Sequence, residues 1–167
     1  MPAASMIQKL NAQINREFYA SHLCLHLSAW CAKNSLTGSA NFLRSQAQNN
    51  VTHMMRVFNF MKQSGGMPSV GTISPPDCHS LTLEELFQQT LDDHHLRHET
   101  LTMLKEEAKA VNAGKIVSFL MALELEQDRE GERLQTVLEE VRNAKKAGLC
   151  MSQTDRRVLS FVEHGCH

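Results

Sequence analysis

Residues 65–81 read GGMPSVGTISPPDCHSL, with three glycines and three prolines in 17 positions. No helix or strand runs through such a segment, because proline removes a backbone donor and glycine carries a high entropic cost. Extended, 17 residues reach up to about 56 Å. The helix before it is predicted at about 39–64, where Leu43, Ala47, Met54, Val57 and Met61 form one stripe, and a helix of that size measures about 40 Å. The segment is therefore long enough to travel the whole length of a helical bundle and deliver the next helix parallel to the last. A disordered linker is the competing reading of a connection this long.

The rest of the chain supports a bundle. Leu10, Ile14, Cys24 and Cys31 repeat on one face over about 6–33, and Ser5 with Gln8 has the spacing of a capping box. A third helix, from Thr82 with Glu85 as another capping box to about residue 111, carries Leu83, Phe87, Leu101, Leu104, Ala108 and Val111. The fourth carries Ile116, Phe119, Leu120, Leu123, Leu134, Val137, Leu138 and Val141 up to Lys145-Lys146. Short connections at 34–38 and 112–114 make helices one and two, and three and four, antiparallel neighbours. A short fifth helix is predicted at about 153–163, with Ser152 or Asp155 as its cap. The expected fold is one all-α domain over 1–167, its bundle at about 6–145, with the single long crossover at 65–81.

Composition excludes several functions. The chain has 167 residues, and its 17 Lys and Arg against 18 Asp and Glu give a net charge of −1, so bulk attraction to nucleic acid or an anionic membrane is not expected. No apolar run approaches the roughly 20 residues of a membrane helix, and the N-terminus lacks a secretory pattern, which leads to a cytoplasmic expectation. The five cysteines show no CxxC spacing and read as free thiols; Cys78-His79 and Cys166-His167 are weak motifs. The charge is unevenly distributed. Residues 1–76 hold six Lys or Arg and one Asp or Glu, a net of +5, while residues 77–167 hold eleven against seventeen, a net of −6.

Each apolar stripe is interrupted near its middle by side chains able to bind metal. These are Glu17 on helix one, Asn50 and His53 on helix two, His94 on helix three, and Gln127 with Glu130 on helix four. In the topology above they meet at one depth. A buried carboxylate or imidazole costs several kcal/mol unless it is paired or coordinated, so four coincident interruptions point to a metal site rather than to isolated core polar residues. Asn50-x-x-His53 and Gln127-x-x-Glu130 keep the i, i+3 spacing of carboxylate-histidine pairs in di-metal bundles, with some ligand types changed. In the His94-His95-x-x-His98-Glu99 cluster one helix cannot aim all four side chains inward, and His95 and Glu99 are expected in solvent.

The chain resembles bacterial non-haem ferritins, in particular the divergent ferritin B type of enteric bacteria. The resemblance is carried by Leu10-Asn11-x-Gln13-x-Asn15-x-Glu17-Phe18-Tyr19, Phe42-Leu43-Arg44, Thr52-His53-Met54, Leu83-x-Glu85-Leu86-Phe87 and Glu126-Gln127, and it covers nearly the whole chain. It implies a ferritin-like four-helix bundle with a short C-terminal helix, a hollow 24-subunit homo-oligomeric cage storing ferric mineral, and Fe(II) oxidation at a di-iron centre. The positions matching the ligands are Glu17, Asn50, His53, His94, Gln127 and Glu130. Asn50 stands at the place of the family's metal-bridging Glu, His94 at that of its helix-three Glu, and Cys24 at that of its tyrosine. An additional family iron site corresponds to Asn49, Glu126, Arg129 and Glu130, where Arg129 should repel a cation.

Two Fe(II) ions carry four positive charges, and Glu17 with Glu130 offset two. His53 and His94 with Glu17 or Glu130 form the two-imidazole, one-carboxylate set that suits a single non-haem Fe(II), and one tight ion is expected. The resulting function is iron storage with an altered, weakened ferroxidase site and a possible role as a labile iron donor. The rival readings are a fully active ferroxidase compensated by Glu126 or water, and a metal-free helical assembly protein. No methionine is singled out as a haem ligand, so no haem is expected.

Overall fold

A computed structural model describes residues 4–76 and 82–165, and among them there are five helices and no strand. They are α1 (Ala4–Lys33), α2 (Thr37–Gln63), α3 (Leu83–Ala110), α4 (Gly114–Lys146) and α5 (Met151–Gly165). Thr82 caps α3 as its sequence predicts, its hydroxyl accepting from the Glu85 amide at 3.1 Å. The α2 terminus is a glycine cap. Gly65 takes φ +85°, and the Gly66 amide returns to the Met61 carbonyl at 2.8 Å. The Cys78-His79 and Cys166-His167 motifs lie outside the described residues.

Four expectations need correction. Ser5 lies inside α1, which already runs from Ala4, so it is not the residue that ends the helix. Val111 is the C-cap of α3 and is exposed, because the helix stops one residue before it. Met54 and Phe119 are only partly buried at the edge of the core, where Phe119 stacks on Phe60. Asp155 lies within α5 and serves another helix. Its carboxylate accepts from the Gly38 and Ser39 amides at 2.9 and 2.7 Å and so caps the first turn of α2.

Two hydrophobic clusters reveal the topology. One gathers Leu27 and Cys31 from the end of α1, Ala40 and Leu43 from the start of α2, Leu86 and Phe87 from the start of α3, and Val137 and Val141 from the end of α4. The other gathers Leu10 and Ile14, Val57 and Met61, Leu101 and Leu104, and Ile116 and Leu120. Helices α2 and α3 thus start at one end of the bundle and finish at the other, which makes them parallel. The described part of the crossover is docked on α1: Asn11 Oδ1 accepts from the Ser69 amide at 2.7 Å, and Asn15 Oδ1 from the Gly71 amide at 2.7 Å. Those bonds set residues 69–71 apart from a free linker. Between the two clusters the core is polar.

Candidate metal centre

The polar layer contains Glu17, Asn50, His53, His94, Gln127 and Glu130, all buried. Their convergence follows from helical geometry, since each replaces one step in an apolar stripe of its own helix. All four bundle helices contribute at the same depth. Gln13 of α1 and Arg97 of α3, each 2% exposed, join them.

Arg97 changes the electrostatics of the site. One terminal guanidinium nitrogen donates to Glu17 Oε2 at 3.3 Å and the other to Glu130 Oε1 at 3.3 Å, while Nε donates to Asp93 Oδ2 at 2.9 Å. Three surrounding carboxylates outweigh the burial that disfavours its charge and raise the Arg97 pKa above its ordinary value. Burial pushes the Glu130 carboxyl up, but the Arg97 guanidinium, which also donates to it, holds it below the usual carboxylate range. Asp93 moves the other way, because burial there exceeds the pull of Arg97.

Glu17 is saturated. Its Oε1 accepts from Gln127 Nε2 at 3.1 Å and Gln13 Nε2 at 3.5 Å, and its Oε2 accepts from Asn50 Nδ2 at 3.1 Å as well as from Arg97. The Asn50 NH2 also points to Glu130 Oε1 at 3.4 Å. Where the resemblance places a carboxylate able to bridge two metals, this chain places a hydrogen-bond donor that bridges two carboxylates.

The remaining lone pairs are acceptors without partners: Asn50 Oδ1, Gln127 Oε1, Glu130 Oε2, His53 Nδ1 and His94 Nδ1 are buried and make no hydrogen bond. The tautomers follow from the bonds on the opposite ring nitrogens. His94 Nε2 lies 2.7 Å from the Gln127 carbonyl, which can only accept, so the proton is on Nε2 and the Nδ1 lone pair is bare. His53 Nε2 lies 3.1 Å from Glu126 Oε2, which fixes a proton on Nε2. Fixing one imidazole nitrogen by an acceptor is how proteins present the other to a metal. Burial also lowers the His94 pKa and favours the neutral, ligating form. Among the described residues no group of three or more His, Cys, Asp or Glu side chains is placed to hold a metal ion by itself.

Glu126 stands on the solvent side of His53, 38% exposed, and also pairs with Arg56. His95 and Glu99 face solvent as expected. His98 lies 3.5 Å from Asp128. Arg97 was legible in principle. It continues the stripe Phe87, Thr90, His94, Arg97, Leu101 at steps of three and four, and Asp93 four residues earlier is the usual helical partner for it.

A four-helix bundle with one long crossover between parallel second and third helices is the arrangement of ferritin-like proteins. Residues 7–144 match the sequence profile of the ferritin family, described as a ferritin-like domain. The chain is 54% identical over 167 residues to the bacterial non-heme ferritin-like protein of Escherichia coli K12, covering all of both chains. It is 34% identical over 143 residues to the bacterial non-heme ferritin of E. coli O6:H1, covering 86% of this chain and 87% of that one. Chlorobium tepidum ferritin superposes with a TM-score of 0.85 at 25% identity over 98% of this chain and 96% of that one. The chain belongs to the ferritin family.

Proposed function

We propose that this protein stores iron in a ferritin-type cage and holds one ferrous ion, not two, at the centre of each subunit bundle. The observation that carries the reading is the set of buried, unpartnered acceptors on the residues that interrupt the stripes. An orphaned buried acceptor costs about 1–3 kcal/mol, and five at one depth are best explained by a cation that they serve. Glu130 Oε2, His53 Nδ1 and His94 Nδ1 supply one carboxylate and two imidazoles, with the Asn50 and Gln127 carbonyls as further oxygen donors. Glu130 is the better carboxylate ligand, because Glu17 is already occupied by its four donors.

Charge favours a single ion. Glu17, Glu130 and Asp93 contribute −3 and Arg97 +1, so the four together carry −2. One Fe(II) brings that sum to zero and two bring it to +2. Unit charges about 4 Å apart repel by about 4 kcal/mol in a surface-like dielectric, which makes the second ion the unfavourable one. A lone Fe(II) gives up one electron, while dioxygen is reduced readily by electron pairs. Oxidation is therefore slow compared with a paired-iron centre, and the ion stays exchangeable, which suits a labile iron supply.

Anaerobic Fe(II) titration tests this with one tight ion per subunit expected; two tight ions, or rapid oxidation on mixing with oxygen, would overturn it. His53→Ala is expected to remove the tight ion. The Arg97 ion pairs give one specific ground for the metal-free assembly reading, because they satisfy Glu17 without iron. Metal analysis of protein purified without chelator separates the two: iron in the centre supports storage, and none after aerobic iron loading supports assembly alone.

A further inference from the structure

We infer that the Arg97 guanidinium is a tethered cation standing in for a second divalent ion between Glu17 and Glu130. The inference rests on the reading that the polar layer accepts divalent cations. Its own support is geometric. Carboxylates from α1 and α4 each receive one terminal nitrogen of the same guanidinium, both at 3.3 Å, so the group bridges them as a divalent ion between two helices would. Asp93, one helical turn before Arg97, holds Nε at 2.9 Å and prevents the fork from rotating out of the layer. The Arg97 side chain is 3% exposed, so water does little to screen its charge from the two glutamates.

Arginine suits this role chemically. It keeps its charge at any physiological pH, has no accessible redox state and cannot exchange with solvent ions. A subunit built this way holds its central carboxylates together without metal, at the cost of one place where an ion could sit. Asn50 reinforces the arrangement, because its NH2 spans the same two carboxylates and leaves Glu17 without a bare lone pair facing the layer. Any ion that uses Glu17 must first displace the guanidinium.

The test is equilibrium dialysis of the assembled protein against Co(II) under anaerobic conditions, comparing wild type with Arg97→Met and Arg97→Lys. Arg97→Met is expected to bind one more ion per subunit than wild type, and Arg97→Lys, which keeps the charge, the same number as wild type. An unchanged count in Arg97→Met overturns the inference, as does an extra ion in Arg97→Lys. The wild-type count tests the one-ion reading separately: a wild type that binds none while Arg97→Met binds one sinks that reading and leaves this inference standing. Thermal melting supplies a second readout. Metal-free Arg97→Met should melt roughly 10 °C below wild type, since a buried carboxylate pair loses its counter-charge, and Co(II) should restore most of that loss. If Arg97→Met does not assemble, Arg97→Gln keeps polar donors without the charge, and the same extra ion is required of it.

Discussion

Gly131 shows how closely one residue can govern the centre. A Cβ built there would stand 2.5 Å from His94 Cε1, so the imidazole packs against bare α4 backbone while Nε2 reaches the Gln127 carbonyl one turn away. Gly131→Ala must displace the ring, and Co(II) affinity is expected to fall on the order of 10-fold, as for other losses of ligand positioning; unchanged affinity would remove His94 from the ligand set. Cys24 and Cys31 are a contrasting case. Burial pushes both thiols up to about 12, so neither should react with a water-soluble maleimide at pH 8 in the native protein, as read by peptide mass mapping. The positions of Glu17, His53, His94, Gln127 and Glu130 were legible because each breaks an apolar stripe. The partners they choose were not, since the Arg97 fork and the amide directions are set by packing between helices distant in the chain.

At the scale of elements, α5 packs against both α2 and α4 and is hydrogen-bonded to the start of α2. Asp155 supplies the acceptors that α2 lacks from its own N-cap, Leu36, whose side chain cannot accept a hydrogen bond. Gly38 permits the approach, for a Cβ there would lie 2.7 Å from the Asp155 carbonyl. Asp155→Ala is expected to cost about 2 kcal/mol of stability and to expose α5 to protease, measured by thermal melting and limited digestion. Helix existence and the long crossover were readable from periodicity and from the glycines and prolines of residues 65–81. The role of Asp155 was not, because a residue suited to cap its own helix can as well cap one reached 117 positions away in sequence. The docking of the crossover by Asn11 and Asn15 was equally hidden, as a half-buried asparagine on a helix carries no directional signal.

Over the whole molecule the charge asymmetry takes on a second meaning. The basic first half and the acidic second half meet across the bundle: Lys9 of α1 pairs with Glu107 of α3, and Arg56 of α2 with Glu126 of α4. The absence of Asp and Glu from α2 thus goes with a pairing of one helical hairpin with the other. Leu25, Leu96, Met103, Met121 and Leu125 are more than half exposed in the single subunit. For the proposed 24-subunit cage, light scattering should give about 24 times the 18.8 kDa subunit mass, and a monomer or dimer would contradict it. An anomalous-scattering map of crystals soaked anaerobically in Fe(II) measures directly how many ions the bundle holds beside Arg97. One peak per bundle, ligated by Glu130, His53 and His94, with the guanidinium still between Glu17 and Glu130, is the predicted result; two peaks about 3.5–4 Å apart with Arg97 displaced would contradict it.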